Sequence, residues 1–269
     1  MLAFSSLLGN VEGQNIYRIW YDKPASYWEE ALPVGNGRIA AMVFGDPQLE
    51  QIQLNEETVS AGSPYQNYNE EAKTALPEMR RLIFEGKYEE AQNMAATKIL
   101  SQVGNEMPYQ TVGRLNIRYQ DHKKVNNYYR DLDISNAVAV TRYEVDGVEF
   151  TEETFASFTD QLVIRHIKAS KPGTINCELF FNTPMRDPKR SIYGKKGLRL
   201  EGITHGSRYF PGKVHYCADL DVKHKGGKVI TANDTLLSVQ GASELTLYIS
   251  MATNFVNYKD ISGDPYQRN

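Results

Sequence analysis

Two cysteines in 269 residues, Cys177 and Cys217, are too few for a disulfide framework or a zinc site. They pair if the chain is exported, or stay as two buried thiols; the sequence leaves both open. No apolar run reaches the roughly eighteen residues that a membrane helix needs, so insertion by a helix is not expected. Neither sign of charge dominates. A formal net charge of -3 gives no global attraction to nucleic acid or to an anionic membrane. The five histidines, His122, His166, His205, His215 and His224, show none of the spacings that hold zinc, so no metal is expected. Repeats, low-complexity tracts and Pro/Gly/Ser linkers are also missing.

Aromatic residues are plentiful by contrast: seventeen Tyr and ten Phe against two Trp. Flat side chains pack well on pleated surfaces, so the balance favours strands. Aromatics also line carbohydrate sites, but a core use is the simpler reading. The segment "NAVAVTRYEVDGVEFTEETFAS" is two alternating runs joined by Asp146-Gly147, a strong hairpin signal. "DQLVIRHIKAS", "TINCELFF", "GLRLEGI", "VHYCADLDVKH", "KVITAN", "TLLSVQG" and "ELTLYISMAT" follow, separated by turn residues. Within the first of these, His166 shares a face with Ile164 and Lys168 and reads as a partly buried strand residue. Short strands at this spacing predict two stacked antiparallel sheets.

One segment breaks the pattern. In "NEEAKTALPEMRRLIFEGKYEEAQNMAATKIL", Ala72, Leu76, Met79, Leu82 and Ile83 recur at helical spacing, as do Ala91, Met94, Ala95 and Ile99. Asn69 with Glu70 and Glu71 marks a start, and Gly86 separates two helices. A helical hairpin packed on a sheet is expected.

Gly35-Asn36-Gly37-Arg38-Ile39-Ala40 fits the G-x-G-x-x-G/A pattern of a dinucleotide turn. That turn needs a buried strand before it and a helix after it, because the pyrophosphate rests on the helix N-terminus. Here Pro33 precedes it closely, and "IAAMVFG" leaves room only for a short strand before Gly45-Asp46-Pro47. The glycines therefore serve backbone geometry, and no cofactor is expected. Asn36 and Arg38 are then polar residues in an apolar frame. "QIQLNEETVSAG" alternates Ile52 and Leu54 with Gln51, Gln53 and Asn55, and delivers Asn55 and Glu56 to a strand end. Glu29, Glu30, Glu50, Glu56 and Glu57 are the obvious carboxylates nearby. A solvated position is expected for each rather than a pair placed for catalysis, since neighbours on an extended segment face opposite ways.

"YWEEALPVGNGRIAAMVFGDPQLEQIQLNEETVSAGSP" resembles the opening signature of glycoside hydrolase family 95, the α-1,2-L-fucosidases and α-L-galactosidases. The resemblance continues through "MPYQTVGRLNIRY", through "YYRDLDISNAVAVTRYEVDGVEFTEETFASFTDQLVIRHIKASKPG" and through "ATNFVNYKDISGDP". It departs at Val59-Ser60, where many members carry a Trp, which puts the substrate in question. The resemblance implies a mainly β, antiparallel β-super-sandwich of the galactose-mutarotase type with one helical hairpin inserted. It also implies that catalysis belongs to an (α/α)6 barrel that no part of this chain matches. No catalytic residue can be carried over, and the chain is expected to be a truncated or shortened form, inactive alone. The implied partners are that C-terminal barrel and fucosylated or galactosylated glycans. Asn36, Arg38, Asn55 and Glu56 are the implied pocket-rim or barrel-interface residues, with Arg38 and Glu56 as a charge-assisted pair. The leading "MLAFSSLLGNVEGQ" looks like the tail of a secretory signal. Residues 1–14 are therefore set apart from a sandwich over 15–269, in a periplasmic or secreted protein. A free-standing carbohydrate-binding module, with exposed aromatics and its own affinity for sugar, is the rival expectation.

Overall fold

The computed structural model describes residues 17–101, 107–207 and 210–269. The expected export segment, residues 1–14, lies outside them.

Sixteen strands make two sheets among the described residues. In chain order they are β1 (Arg18–Tyr21), β2 (Leu32–Gly35), β3 (Ile39–Val43), β4 (Leu49–Glu56), β5 (Gly113–Tyr119), β6 (Val125–Asp133), β7 (Val138–Val145) and β8 (Val148–Ala156). Then come β9 (Val163–Ala169), β10 (Ile175–Asn182), β11 (Arg186–Tyr193), β12 (Gly197–Ile203), β13 (His215–Lys225), β14 (Lys228–Asn233), β15 (Leu236–Ala242) and β16 (Glu244–Thr253). The nine-stranded sheet runs β1-β6-β7-β8-β9-β16-β13-β12-β11, and the seven-stranded sheet runs β14-β15-β10-β5-β4-β3-β2. Every pairing is antiparallel. The expected mainly β sandwich is what forms.

Alternation explains the core. Ile52 and Leu54 on β4, Leu115 and Ile117 on β5, and Leu179 on β10 meet Ile167 on β9 and Leu245, Leu247 and Ile249 on β16, all fully buried. Each such side chain taken from water contributes about 1.5–3 kcal/mol. The β7–β8 hairpin closes through Asp146-Gly147 with Val145 opposite Val148, as the sequence predicts. His166 is half-buried, its Nδ1 3.0 Å from Thr246 Oγ1. Cys177 and Cys217 are unpaired and buried, one in each sheet.

The helical hairpin is α1 (Ala72–Phe84) and α2 (Tyr88–Met94), prolonged by a π-helical turn over Ala95–Ile99. The expected packing on a sheet is not what is seen. The two helices and the π-helical turn pack chiefly on one another. Ala75, Leu82 and Ala91 are buried, whereas Ile83, Phe84 and Tyr88 are exposed. Too few apolar positions converge on one face to cover both a partner helix and a sheet. The hairpin stands between β4 and β5, which are neighbours in the same sheet. Its feet are joined: Ala61 N donates to Pro108 O at 2.8 Å, and Gln110 N donates to Val59 O at 2.8 Å. A last short helix, α3 (Pro265–Arg268), begins at Asp264, whose Oδ1 accepts the Tyr266 N–H at 2.8 Å.

Candidate functional site at one end of the sandwich

Strand polarity gathers the predicted residues. β2 ends, β3 begins, and β4 and β16 end on the same edge of the molecule. Gly37, with φ of 95°, lets the chain reverse between β2 and β3, a backbone that side-chain-bearing residues rarely adopt. Asn36 fixes that turn. Its Oδ1 accepts the N–H groups of Arg38 and Ile39 at 3.1 and 2.9 Å, and its Nδ2 donates to Ser157 O at 2.8 Å. One amide thus ties the seven-stranded sheet to the β8–β9 loop of the other.

Arg38 extends the tie. Nε donates to Gln161 Oε1 at 2.7 Å and Nη1 donates to Met251 O at 2.9 Å. Nη1 also faces Glu56 Oε1 at 3.4 Å, the charge-assisted pair expected from sequence. Glu56 Oε2 accepts both the N–H and the Oγ1–H of Thr58, at 2.7 and 2.6 Å. Thr58 Oγ1 in turn touches Thr253 Oγ1 on β16. Burial pushes the Glu56 carboxyl up, while the Thr58 donors and Arg38 pull it down; burial wins.

Asn55 does not join them. It lies on the opposite face of β4, half-buried, beside Tyr109, whose hydroxyl donates to Glu56 O at 3.0 Å. Three of the four predicted residues therefore converge, and the period of two carries the fourth away.

Two hollows open beside the pair. A trough of about 330 Å³ is lined by Arg38, Glu56, Thr253, Val256 and Arg268 among others. A groove of about 690 Å³ adjoins it, with Tyr65, Met107, Val214, Tyr258 and Ile261 in its wall. Glu57, Thr58 and Phe255 line both. Tyr258 and Val256 are exposed. Val59, at the departure from the family pattern, is fully buried. The groove is thus mostly apolar, with one buried and one exposed carboxylate at its margin. Among the described residues no three metal-binding side chains come together. Thr58, Gln161, Thr253 and Phe255 carry no sequence signal, because only the fold brings them beside Arg38 and Glu56.

Two of the carboxylates expected in solvent are buried: Glu56 and, deeper, Glu50. Their period explains this, since Glu50, Ile52, Leu54 and Glu56 share one face of β4. Glu50 meets Arg165 of β9, with Nη2 2.7 Å from Oε2. The same Nη2 contacts Glu152 Oε2 of β8. Gly45 N donates to Glu50 Oε1 at 2.9 Å, while Tyr119 and Tyr143 donate to Glu152 Oε1 at 2.5 and 2.7 Å. Burial, opposed by Arg165, lifts the Glu50 carboxyl to about 7. This cluster opens to no surface and bridges the two sheets. Glu29 and Glu57 are exposed as expected, and Glu30 is half-buried.

Comparison with known proteins follows the same lines. The chain is 31% identical to "Alpha-L-fucosidase 2" of Arabidopsis thaliana, over 91% of this chain and 31% of that protein. It is 26% identical to "Probable alpha-fucosidase A" of Aspergillus niger, over 88% of this chain and 30% of that protein. With "Probable alpha-fucosidase A" of Aspergillus oryzae it shares 22% identity, over 97% of this chain and 36% of that protein. The chain thus spans about a third of the length of these curated relatives. Residues 19–258 match the family described as "Glycosyl hydrolase family 65, N-terminal domain", and the chain, with its two-sheet sandwich and its tied end, belongs to that family.

Proposed function

We propose that this chain is the N-terminal sandwich of an α-L-fucosidase-like hydrolase of the family 95 type. In that reading a helical barrel elsewhere in the polypeptide hydrolyses α-linked L-fucose or L-galactose with inversion, without a cofactor. This sandwich braces the barrel and lends it a rim through the end that carries Asn36, Arg38 and Glu56. The supporting observation is the similarity to the Arabidopsis fucosidase, which takes in nearly all of this chain and under a third of that one. The mostly apolar groove beside the Arg38–Glu56 pair supports the same reading, because such surface marks a contact. Export to a periplasm or the cell exterior belongs to the proposal.

The test is hydrolysis of p-nitrophenyl α-L-fucoside by this chain and by a longer polypeptide that includes a barrel. The chain alone is expected to be inert and the longer form active. In the longer form Arg38→Ala lowers kcat/KM. Turnover by the isolated chain, abolished by changing one of its own carboxylates, would refute the reading.

A further inference from the structure

A second groove lies on the outer face of the seven-stranded sheet, toward the opposite ends of β3 and β4 from Arg38 and Glu56. It has a volume of about 640 Å³, within the range of about 300–1,000 Å³ typical of small-molecule sites. Lys23, Tyr27, Trp28, Asp46, Gln51 and Arg114 line it. Trp28 and Tyr27 are 50% and 57% exposed, a large apolar area to leave in water.

These rings stand on a rigid support. The chain from Lys23 to Glu30 is held at both ends by one fully buried guanidinium, that of Arg130 on β6. Its Nε donates to Lys23 O at 2.8 Å and its Nη1 to Glu30 O at 2.7 Å. The Glu30 carboxylate folds back to accept the Ser26 N–H at 2.8 Å. Ala25 N donates to Phe44 O at 2.9 Å. Exposed aromatics on a braced turn are ordered before a ligand arrives, which lowers the entropy cost of binding.

The polar walls are flat and two-pronged. Arg114 donates from Nη1 to Gln51 Oε1 at 2.7 Å and lies over the Phe44 ring. Asp46 is aimed by the N–H groups of Gln48 and Leu49, both on Oδ1. Arg114 also lines an adjoining hollow of about 410 Å³, together with Gln53, Asn182 and Thr183. A pyranose ring offers a flat face of C–H bonds and a rim of paired hydroxyls, each both donor and acceptor. Aromatic faces meet the first; guanidinium, amide and carboxylate groups meet the second. The charges are mixed, since Asp46 lines the groove along with Arg114 and Lys23, and Lys23 lies 3.7 Å from Glu30. That mixture gives no preference for phosphate or for an acidic polymer.

We propose that this groove, continued past Arg114, is a binding site for a neutral oligosaccharide. The inference does not rest on the fucosidase reading, which concerns the other end of the strands.

The test is calorimetric titration of the 269-residue chain with cellotetraose, galactotetraose and fucosyllactose. At least one is expected to bind. Trp28→Ala and Arg114→Ala each weaken it about tenfold or more, as central aromatic and arginine contacts do. Thr58→Ala, at the other end, leaves the affinity unchanged. Far-ultraviolet circular dichroism confirms that each variant is folded, and Gln51→Ala replaces any that is not. Three results overturn the proposal: no binding of any of the three sugars, binding indifferent to Trp28 and Arg114, or binding lost through Thr58→Ala instead.

Discussion

Two arginines tie the two sheets together, each with a glutamate beside it, and they differ in almost everything except their chemistry. Arg165 has no exposed side-chain surface, and it meets Glu50 and Glu152 in the dry middle of the sandwich. Arg38 keeps 31% of its side chain in solvent, meets a single carboxylate, and sits beside a trough. In the inner contact tyrosines, Thr154 and backbone N–H groups engage most of the polar atoms, and Arg165 Nε has no hydrogen-bond partner among the described residues. The outer one divides its guanidinium among a carboxylate, an amide and two carbonyls. A buried ion pair is costly to break because the surviving charge is stranded, whereas water rescues an exposed one. The inner cluster therefore holds the fold, and the outer pair is free to be spent on a neighbour.

The largest effect expected is that of Arg165→Met. It strands two carboxylates, so about 3–5 kcal/mol of stability is lost, seen as a lower denaturant midpoint or as insoluble chain. Retention of wild-type stability would break the comparison. Next comes pH. An ordinary Glu titrates at about 4.3 when unfolded, and Glu50 is lifted to about 7 when folded. Folding therefore takes up a proton between these values. The contribution of Glu50 is full below pH 4.3 and is lost as pH rises through 7, a loss on the order of 3 kcal/mol. Urea titrations across that window should show the slope in the wild type, and Glu50→Gln should remove it. Tyr143→Phe takes one donor from Glu152 and should cost about 1–3 kcal/mol, read as a drop in Tm. Arg38→Ala is the mildest, about 1–2 kcal/mol in this chain, because the buried Glu56 keeps both Thr58 donors. A cost as large as that of Arg165→Met would mean that the end pair is structural after all.

The sheets were legible because alternation and turn chemistry are local. Asp146-Gly147 set a hairpin, and Ile52 and Leu54 showed which way β4 faces. The same alternation places Glu50 inward with Ile52 and Leu54, although its charge by itself argues for solvent. Arg165 was hidden for the same reason, between Val163 and Ile167 on β9. What makes a buried charge tolerable is a partner, and Glu50 on β4 lies 115 residues from its partner Arg165 on β9. The end site was half legible. Asn36, Arg38 and Glu56 stood out as polar residues at strand ends, but Thr253 and Gln161 reach them only through the sheet order. Asn55 stands apart from the other three because adjacent residues on a strand face opposite ways. For the helical hairpin, spacing gave the helices but not their partner.

The joined feet of that hairpin have a consequence of their own. Ser60 and Tyr109 pair across its base, and β4 and β5 are already neighbours, so the sandwich is closed whether or not the hairpin is present. Everything from α1 to the π-helical turn is, topologically, a cassette clipped into a finished frame. Lengthening or exchanging it changes a loop-closure entropy that grows only slowly with length. Descent can therefore remodel that part of the molecule cheaply, beside the grooved end, while the frame beneath stays as it is.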